Sequence, residues 1–460
     1  MRKKRIIQGS LFDVFSPHQI GRELRAMSVR LDGLGDELLS LLAEDLGMVG
    51  INDTGINDTG ITDTGINDTG RHGLPAESVL RCAVLKQYRQ LSYEELAFHL
   101  GDSSSFRAFT RLPMSLCPKK SVLQKTVSLI RAETWEQINR ALLADARREK
   151  IERGVVVRID STVCDALMHP PTDSTLLWDG VRVMTRLLEA AAALPGGAAV
   201  TWRNHKGLAK KRTLAIRYTR GKDRKAPLYK DLIAATETTI GFVRRFAQTL
   251  DNSIESAAWR LEAEHYLPLI ERVIDQTRRR VFAGETVPAG DKLVSLFEPH
   301  ADIIVKSRRG VQYGHKLNLT TGKSGMILDI VVEDGNPADA ARFVPMLERH
   351  VAVYDAAPRQ TAVDGGYASR ENLKKAKEMG VKDAAFHKKC GLEIDDMVKS
   401  RWVYRKLRNF RAGIEAGISC LKRAYGLARC TWRGIDHFKS YVWSSVVANN
   451  LAIFARLKPT

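Results

Sequence analysis

The sequence is poor in cysteine and has no long apolar run. Its 460 residues include six cysteines, none in a Cys-x-x-Cys pair, which argues against a zinc ribbon and suggests no disulfide framework. No apolar stretch approaches the length of a membrane span, and the basic start at residues 1–5 precedes too few apolar residues for a signal peptide. The Gly-x4-Gly-Lys-Ser/Thr motif of nucleotide-binding loops is also missing. We therefore expect a protein of a reducing cytoplasm, with no membrane partner and no nucleotide cofactor.

Acidic residues are few relative to basic ones. The chain has 72 Lys and Arg against 53 Asp and Glu, a formal net charge of +19 at pH 7. A field of that sign attracts polyanions and speeds encounter with them. The charge therefore predicts a nucleic-acid partner; the alternative is a basic protein with a solvated surface.

A tandem repeat occupies residues 51–70. Its pentapeptide is Ile-Asn-Asp-Thr-Gly, with Thr in place of Asn in the third copy. Asn, Asp and Gly favour turns, and one Ile in five residues cannot build a core. We predict a solvated linker between an N-terminal segment, 1–50, and a helical domain, 71–150. A coil of a β-helix or an oxygen-rich cation site is the alternative reading of the repeat.

Residues 71–150 have helical patterns throughout, ending in one long helix from about Ser121 to Lys150. Before it, Ser92-x-x-Glu95 forms a capping box at the start of a helix, Tyr93–Leu100. A glycine turn and a second helix, Phe106–Leu112, follow, which predicts a helix-turn-helix; a plain helical bundle is the alternative. The residues that the second helix would present to DNA are Arg107 and Arg111.

The remaining pattern predicts an α/β core that is interrupted by an insertion. One apolar strand lies at 155–163, and its partner strands come only after residue 300. Three antiparallel strands followed by alternating helices and strands is the order of a ribonuclease-H-like mixed sheet. We therefore assign the core to 151–171 plus 301–460. The predicted elements after residue 300 are strands Asp302–Lys306, Gln312–Thr320 and Met326–Glu333, helix Ala338–Tyr354, a strand ending at Asp364, helix Arg370–Met379, a strand near Ala384–His387, and a last long helix, Val403–Tyr425.

The insertion, 172–300, is mostly helical by pattern and has a strongly basic middle. From Arg203 to Lys230 the sequence has eleven cations and one acid, Asp223, with two aromatic residues interleaved and a third directly before the stretch. Cations that follow phosphates, with aromatics that stack on bases, suit the binding of a DNA end; a solvated helical face with buried aromatics is the alternative. The predicted helices are Leu176–Leu194, Leu228–Leu250 and Ile254–Gly284, the aromatics are Trp202, Tyr218 and Tyr229, and the predicted DNA contacts are Lys210, Lys211 and Arg212.

Three carboxylates, far apart in the sequence, suit a metal-dependent site. Asp160 and Asp364 each lie at or near the end of a short apolar strand, and Glu415 lies in a helical pattern, Arg411-x3-Glu415-x6-Lys422. Mg²⁺ prefers oxygen ligands, and two such ions about 4 Å apart can activate an attacking oxygen and stabilise a leaving one. The alternatives are turn-forming acids and a surface salt bridge between Arg411 and Glu415. The neighbouring acids that compete for these assignments are Asp165, Glu393, Asp395 and Asp396.

These segments, in this order, resemble a bacterial insertion-sequence transposase of the DDE class, and are closest in pattern to its ISNCY-like group. The resemblance extends over roughly 155–455, and the helical region at 71–150 matches the N-terminal domain usual in that family. The matching segments are Ile159-Asp160-Ser161-Thr162-Val163, Tyr313-Gly314-His315-Lys316-Leu317-Asn318-Leu319, Gly335-Asn336-Pro337-Ala338-Asp339, Ala362-Val363-Asp364-Gly365-Gly366-Tyr367, and the helix that contains Glu415.

The resemblance implies a specific chemistry and specific partners. Asp160 would bridge two Mg²⁺ or Mn²⁺ ions, with Asp364 on the first ion and Glu415 on the second. Cleavage at the transposon end would leave a 3′-hydroxyl that attacks target DNA, in a synaptic complex of at least two subunits at the bacterial nucleoid. Arg411 and Lys422 would contact phosphates near the cleaved end.

One departure from the family pattern affects the second-strand step. Relatives with the full signature have Tyr where this chain has Arg408, which leaves the route of second-strand cleavage open. Two other functions also stay open. One is a nuclease of the same fold that does not join strands, and the other is a catalytically inactive DNA-binding relative.

Overall fold

The chain folds into two compact units. The first unit takes in the described residues up to Asp165 and from His315 onward, and the second spans Ala166–Gly314. The tandem repeat at 51–70 lies outside the described residues. No helix among the residues described is long and apolar enough to cross a membrane. A computed structural model describes residues 15–47, 73–113, 116–305, 310–387 and 391–457.

The first unit begins with a bundle of helices around a buried arginine. Arg81 is fully buried, and its guanidinium pairs with Glu77 and Asp32 and donates to the hydroxyl of Ser28 and the carbonyl of Phe109. Because every arm of the guanidinium has a partner, this one side chain ties together α1, α3 and α5 of the helices that follow. They are α1 (Gln19–Asp32), α2 (Asp36–Asp45), α3 (Ala76–Arg89), α4 (Tyr93–Asp102), α5 (Ser104–Thr110), α6 (Lys120–Val127) and α7 (Ala132–Arg148).

The structure confirms the capping box but corrects two predicted helices of this region. Ser92 and Glu95 form both hydrogen bonds of the box at the start of α4. The next helix, α5, ends before Arg111, which adopts a left-handed conformation with φ of 52°, two residues before a proline. The predicted long helix is divided into α6 and α7, because the amide of Arg131 bonds to the carboxylate of Asp45 rather than to the preceding helical turn.

A mixed sheet lies at the centre of the first unit. Neighbouring strands run in the sequence β4, β3, β1, β5, β6; β1, β5 and β6 are parallel, whereas β3 and β4 are antiparallel. The mixed α/β architecture predicted from the sequence is therefore present. The strands of the chain are β1 (Val156–Asp165), β2 (Asp302–Val305), β3 (Val311–Thr321), β4 (Ile327–Val332), β5 (Gln360–Val363) and β6 (Asp383–Phe386).

Strand β1 is longer than predicted, so Asp160 lies in its middle rather than near its end. The strand continues to Asp165, whose amide donates to the carbonyl of Ala428 and whose carbonyl accepts from the amide of Cys430. A segment 260 residues later in the chain thus extends the pairing of β1. No local sequence pattern around Asp160 indicates this contact.

The helices after the sheet strands include a long C-terminal helix that the sequence patterns did not indicate. This helix, α16, packs against α1, α3, α7 and β4, and is buried on nearly every side. In its buried face, Asn450 bonds to both backbone groups of Ile327 and donates to the side chain of Asn139. A helix that is buried on all sides has no amphipathic periodicity in its sequence, so the sequence pattern does not indicate it. The helices are α12 (Asp339–Tyr354), α13 (Arg370–Glu378), α14 (Ile394–Met397), α15 (Arg401–Ala424) and α16 (Ile435–Arg456).

The second unit is built from four long helices and a short hairpin. The hairpin pairs β2 with the first four residues of β3 in antiparallel register. The helices are α8 (Asp173–Ala192), α9 (Lys206–Tyr218), α10 (Lys222–Thr249) and α11 (Ile254–Val281). Of these, α9 was not predicted, since its basic residues surround most of the helix. Trp202 and Tyr229 pack against the helical core of this unit, whereas Tyr218 is 77% exposed.

A buried histidine makes the stability of the first unit depend on pH. Burial on α12 lowers the pKa of His350 from 6.5 to about 4, so the folded state holds the imidazole neutral. The unfolded chain takes up the proton below pH 6.5, and stability is lost as pH falls from there toward 4. Between pH 7.5 and 5.5 we expect urea unfolding to show wild type losing about 1.4 kcal/mol more than His350→Leu. Equal losses in the two proteins would contradict this assignment.

Candidate active site

Parallel strand pairing brings two of the predicted acids side by side. The registered pairs of β1 with β5 end at Ile159 and Val363, and the next residues are Asp160 and Asp364. Parallel neighbours in register lie about 5 Å apart along the hydrogen-bonding direction. The 204 residues between these two acids are therefore no barrier to their acting together.

Helix α15 brings the third acid to the same place. It packs on β1, β5 and β6 through one apolar face, with Glu415 on the flank of that face. The buried positions are spaced by about one or two helical turns, as expected for a surface helix lying on a sheet. They are Val403, Tyr404, Leu407, Ile414 and Leu421.

A buried arginine of β1 sets the distance between this helix and the sheet. The Arg158 guanidinium donates from Nε to Thr321 Oγ1 at 2.8 Å and from Nη1 to the carbonyl of Phe410 at 2.8 Å, and it stacks over the Phe410 ring. Burial lowers the pKa of Arg158. Gly413 faces this guanidinium so closely that an added Cβ would lie 2.6 Å from Nη1. The sequence analysis assigned no role to Arg158 or Gly413.

All three acids converge on the guanidinium of Arg411. Its Nη2 lies 3.3 Å from Asp160 Oδ2 and 3.7 Å from Asp364 Oδ1, and its Nη1 lies 3.5 Å from Glu415 Oε1. The side chains of Arg411 and Asp160 are only 12% and 14% exposed, whereas those of Asp364 and Glu415 are 42% and 73% exposed. No other carboxylate among the described residues pairs with Arg411. The salt bridge between Arg411 and Glu415, considered above as the alternative to a metal-dependent site, is present, but it is one arm of a three-acid cluster.

The donor set of this cluster suits a hard divalent cation. Three carboxylates around a single cation are the ligand type that Mg²⁺ and Mn²⁺ prefer. In the described parts of the chain no three acids, histidines or cysteines approach closely enough to hold a metal ion directly. The three acids are instead arranged around the guanidinium of Arg411.

Polar side chains of the two other motifs form a network behind the acids. Tyr367 donates to Asn318 Oδ1 at 2.7 Å, and Asn318 donates to Glu333. Burial, with the carboxylates of the site nearby, raises the pKa of Tyr367, so its hydroxyl keeps its proton. In the same region Lys316 Nζ lies 2.7 Å from Asp339 Oδ1. In the sequence these residues are marked only as parts of matching segments or, for Glu333, as the end of a predicted strand, because their partners lie on other strands and helices.

The predicted DNA-binding residues differ in their exposure and in whether a carboxylate already pairs with them. Lys210 and Lys211 are exposed on α9, while the neighbouring Arg212 pairs with Asp231 at 2.9 Å. Lys422 on α15 is half-buried, and burial lowers its pKa.

Arg107 and Arg111 are both engaged inside the protein. Arg107 donates to the backbone carbonyls of Leu100, Pro113 and Leu116. Arg111, which lies beyond the end of α5, pairs with Asp32 and Glu77. These contacts fix a turn and a helix end, and DNA contact by either arginine stays a prediction.

Comparison with known proteins finds one match, to the later part of the first unit. Residues 305–451 match the family model described as Transposase DDE domain. The matched segment includes Asp364, Arg411, Glu415 and Lys422, and Asp160 precedes it. Searches of curated proteins and of solved structures return no significant match. The DDE-class resemblance is thus confirmed, whereas the narrower ISNCY-like group is not.

The close approach at Gly413 can be tested by adding one methyl group. In Gly413→Ala the new Cβ would clash with the guanidinium of Arg158, which two hydrogen bonds hold in place, and we expect a loss of about 1–3 kcal/mol in the free energy of unfolding. Gly417→Ala on the same helix is the control, because no atom lies within 4 Å of its added Cβ. Helix propensity alone should stabilise that variant by up to about 1 kcal/mol. Equal stability of the two variants would show that α15 does not depend on this contact.

Proposed function

We propose that this chain, whose residues 305–451 match the transposase DDE domain, is a DNA transposase that cuts at the ends of an insertion sequence and joins them to target DNA. The observation that carries the proposal is the convergence of Asp160, Asp364 and Glu415 on one cation. The three acids are separated by 204 and 51 positions in the sequence, and turn-forming or capping acids have no reason to meet. The matched domain contains two of them.

The fold supports the proposal through the position of each acid. We infer a ribonuclease-H-like core for the first unit, with β1 as its central strand and the chain of neighbours β4, β3, β1, β5, β6. Asp160 lies on the central strand, Asp364 follows the adjacent parallel strand, and Glu415 lies on the helix that covers both. In open α/β sheets, functional residues that are distant in sequence come together at one edge of the sheet, where neighbouring strands end in loops.

The chemistry proposed for the site is phosphodiester exchange assisted by two divalent ions. Mg²⁺ or Mn²⁺, held by Asp160, Asp364 and Glu415, would supply Lewis-acid activation of the attacking oxygen and stabilisation of the leaving one. The chain's own cations, Arg411 and Lys422, would hold the phosphates of the cleaved end in line. Since one phosphodiester replaces another, no nucleotide cofactor is required.

Each unit has its own proposed DNA-binding surface, made of exposed cations that have no carboxylate partner among the described residues. Lys210 and Lys211 on α9 are exposed and unpaired within the described residues. On the first half of α15, four more exposed cations have no ion pair in the described structure: Arg401, Arg405, Lys406 and Arg408. Like charges one turn apart destabilise a helix, so such an arrangement favours a polyanionic partner. Arg107 and Arg111 would have to give up their internal contacts to reach DNA.

The partners follow from the proposed reaction. Transposon-end DNA and target DNA would both bind, and pairing of two ends requires at least a homodimer. A nuclease of the same fold would cut without joining, and an inactive relative would bind without cutting. The products of one reaction therefore separate the three functions.

The three acids can be tested one at a time in a cleavage and joining reaction. The substrate is a labelled duplex with the inverted repeats that flank the protein's own gene, with Mn²⁺ or Mg²⁺ and a supercoiled plasmid as target. We expect Asp160→Ala, Asp364→Ala and Glu415→Ala each to lower cleavage at least about a thousandfold, since a metal site supplies several kcal/mol of transition-state stabilisation. Binding of the repeat, measured by gel shift, should be largely kept.

The matched control is Asp396→Ala, which removes an acid of α14 that makes no contact with Arg411. It should cleave and join like wild type. Full cleavage by any of the three site variants would remove that acid from the assignment. Cleavage without joined products in wild type would favour the nuclease.

The DNA surface on α9 can be tested through the salt dependence of binding. Each phosphate contact contributes about 0.9 to the slope of log Kd against log salt. Lys210→Ala with Lys211→Ala should therefore lower the slope by about 1 to 2. The control removes two paired cations of the same unit, Arg186→Ala with Arg278→Ala, which now contact Glu262 and Glu237. An equal change in both double variants would mean that only the net charge matters.

A further inference from the structure

The guanidinium of Arg411 stands where a cation between the three acids would stand. It lies within 4 Å of a carboxylate oxygen of each of them, and its side chain is only 12% exposed. The transposase family assigns this position to contact with DNA phosphate. In the present structure the guanidinium instead neutralises the site from within.

A divalent ion and this guanidinium cannot share the cluster. Ions such as Mg²⁺ and Mn²⁺ bind carboxylate oxygens at about 2 Å and need several of their lone pairs. Asp160 already accepts from the amide of Ser161 at 2.8 Å through Oδ1, and its Oδ2 is the atom nearest Arg411. Binding of the ion would therefore place two positive centres against the same oxygen, on a side chain that is only 14% exposed to solvent.

Only its three carboxylate contacts hold the guanidinium of Arg411 in the cluster by hydrogen bonds or ion pairs among the described residues. Its Nε is buried and has no hydrogen-bond partner among the described residues, so nothing secures the guanidinium from behind. Glu415, one of its three partners, is 73% exposed and holds it weakly. A DNA phosphate offers the same guanidinium a bidentate, charge-assisted contact, which is stronger than the present contacts at 3.3–3.7 Å.

We infer that Arg411 is an internal counterion that keeps divalent metal out of the site until a DNA phosphate draws it away. This inference rests on the proposed function, because it assumes that the three acids bind the metal. Departure of the guanidinium frees the carboxylates for the metal, and metal in the site drives the guanidinium toward the phosphate. Metal and DNA then strengthen each other's binding by the same factor, as linkage requires. The protein is thereby protected from cutting with metal before an end is in place.

The test measures Mn²⁺ binding to the DNA-free protein by electron paramagnetic resonance of the unbound ion. Arg411→Met removes the charge and keeps much of the length, and we expect it to bind Mn²⁺ about tenfold more tightly than wild type, within the usual range of coupling between sites. Arg411→Lys, which keeps a cation in the cluster, should stay close to wild type. The matched control is Arg408→Met, which removes an exposed cation one turn earlier on α15 with no acid partner. It should change Mn²⁺ affinity less than about twofold, since exposed charges are screened.

A second measurement adds a duplex with the transposon end. Bound DNA should tighten Mn²⁺ binding to wild type, and the difference between wild type and Arg411→Met should largely disappear. The inference would be overturned if DNA-free Arg411→Met bound Mn²⁺ no more tightly than wild type does, or no more tightly than Arg408→Met does. A difference that persists unchanged with DNA bound would overturn it as well.

One further variant separates failure of this inference from failure of the proposed function. Asp160→Asn, combined with Arg411→Met, should abolish the tight Mn²⁺ binding. If Asp160→Asn abolishes Mn²⁺ binding, but Arg411→Met alone has the same Mn²⁺ affinity as wild type, only the counterion role is wrong. If Mn²⁺ binding is indifferent to Asp160→Asn, the metal lies elsewhere and the proposed active site is wrong together with the inference.

Discussion

Mutual repulsion of three carboxylates is the constraint that the candidate active site has to satisfy. Asp160 and Asp364 are forced together by the parallel pairing of β1 with β5, and Glu415 is brought in by α15. Arg411 relieves that repulsion directly by lying within 4 Å of all three. Arg158 contributes differently: it has no carboxylate partner among the described residues, and its hydrogen bonds to Thr321 and to a helix carbonyl offset the cost of its burial. One arginine thus balances the charge of the site, and the other holds its geometry.

Much of the region around the candidate active site could be predicted from sequence because its elements are short, regular and bounded by clear signals. The strands around residues 302–333 and 384–387, and helices α12 and α13, lie within a few residues of the predicted positions. Alternating apolar residues between glycine turns indicate a half-buried strand. That Asp364 follows a strand and Glu415 lies inside a helix could be inferred in the same way. The separation of these acids along the sequence does not show that they meet at one cation.

The errors have a common physical origin in long-range contacts. Strand β1 extends past Asp160 because residues 428–430 pair with its end, and α6 separates from α7 because Asp45 takes the amide of Arg131. Helix α16 has no amphipathic stripe, since neighbours surround it. For an arginine, the residue type indicates the charge of the side chain but not which group the side chain contacts. Arg107 and Arg411 look equally suited to phosphate in sequence, and in the structure one fixes a turn while the other joins three acids.

The measurement that tests the account most directly is anomalous diffraction from crystals of the protein with a transposon-end duplex and Mn²⁺. The account predicts anomalous peaks beside Asp160, Asp364 and Glu415, with carboxylate oxygens at about 2.1 Å from the ions. It also predicts that the guanidinium of Arg411 has left the cluster for a DNA phosphate. Peaks away from these three acids would contradict the proposed site. Peaks among them with Arg411 still at its present distances would contradict its role as the internal counterion.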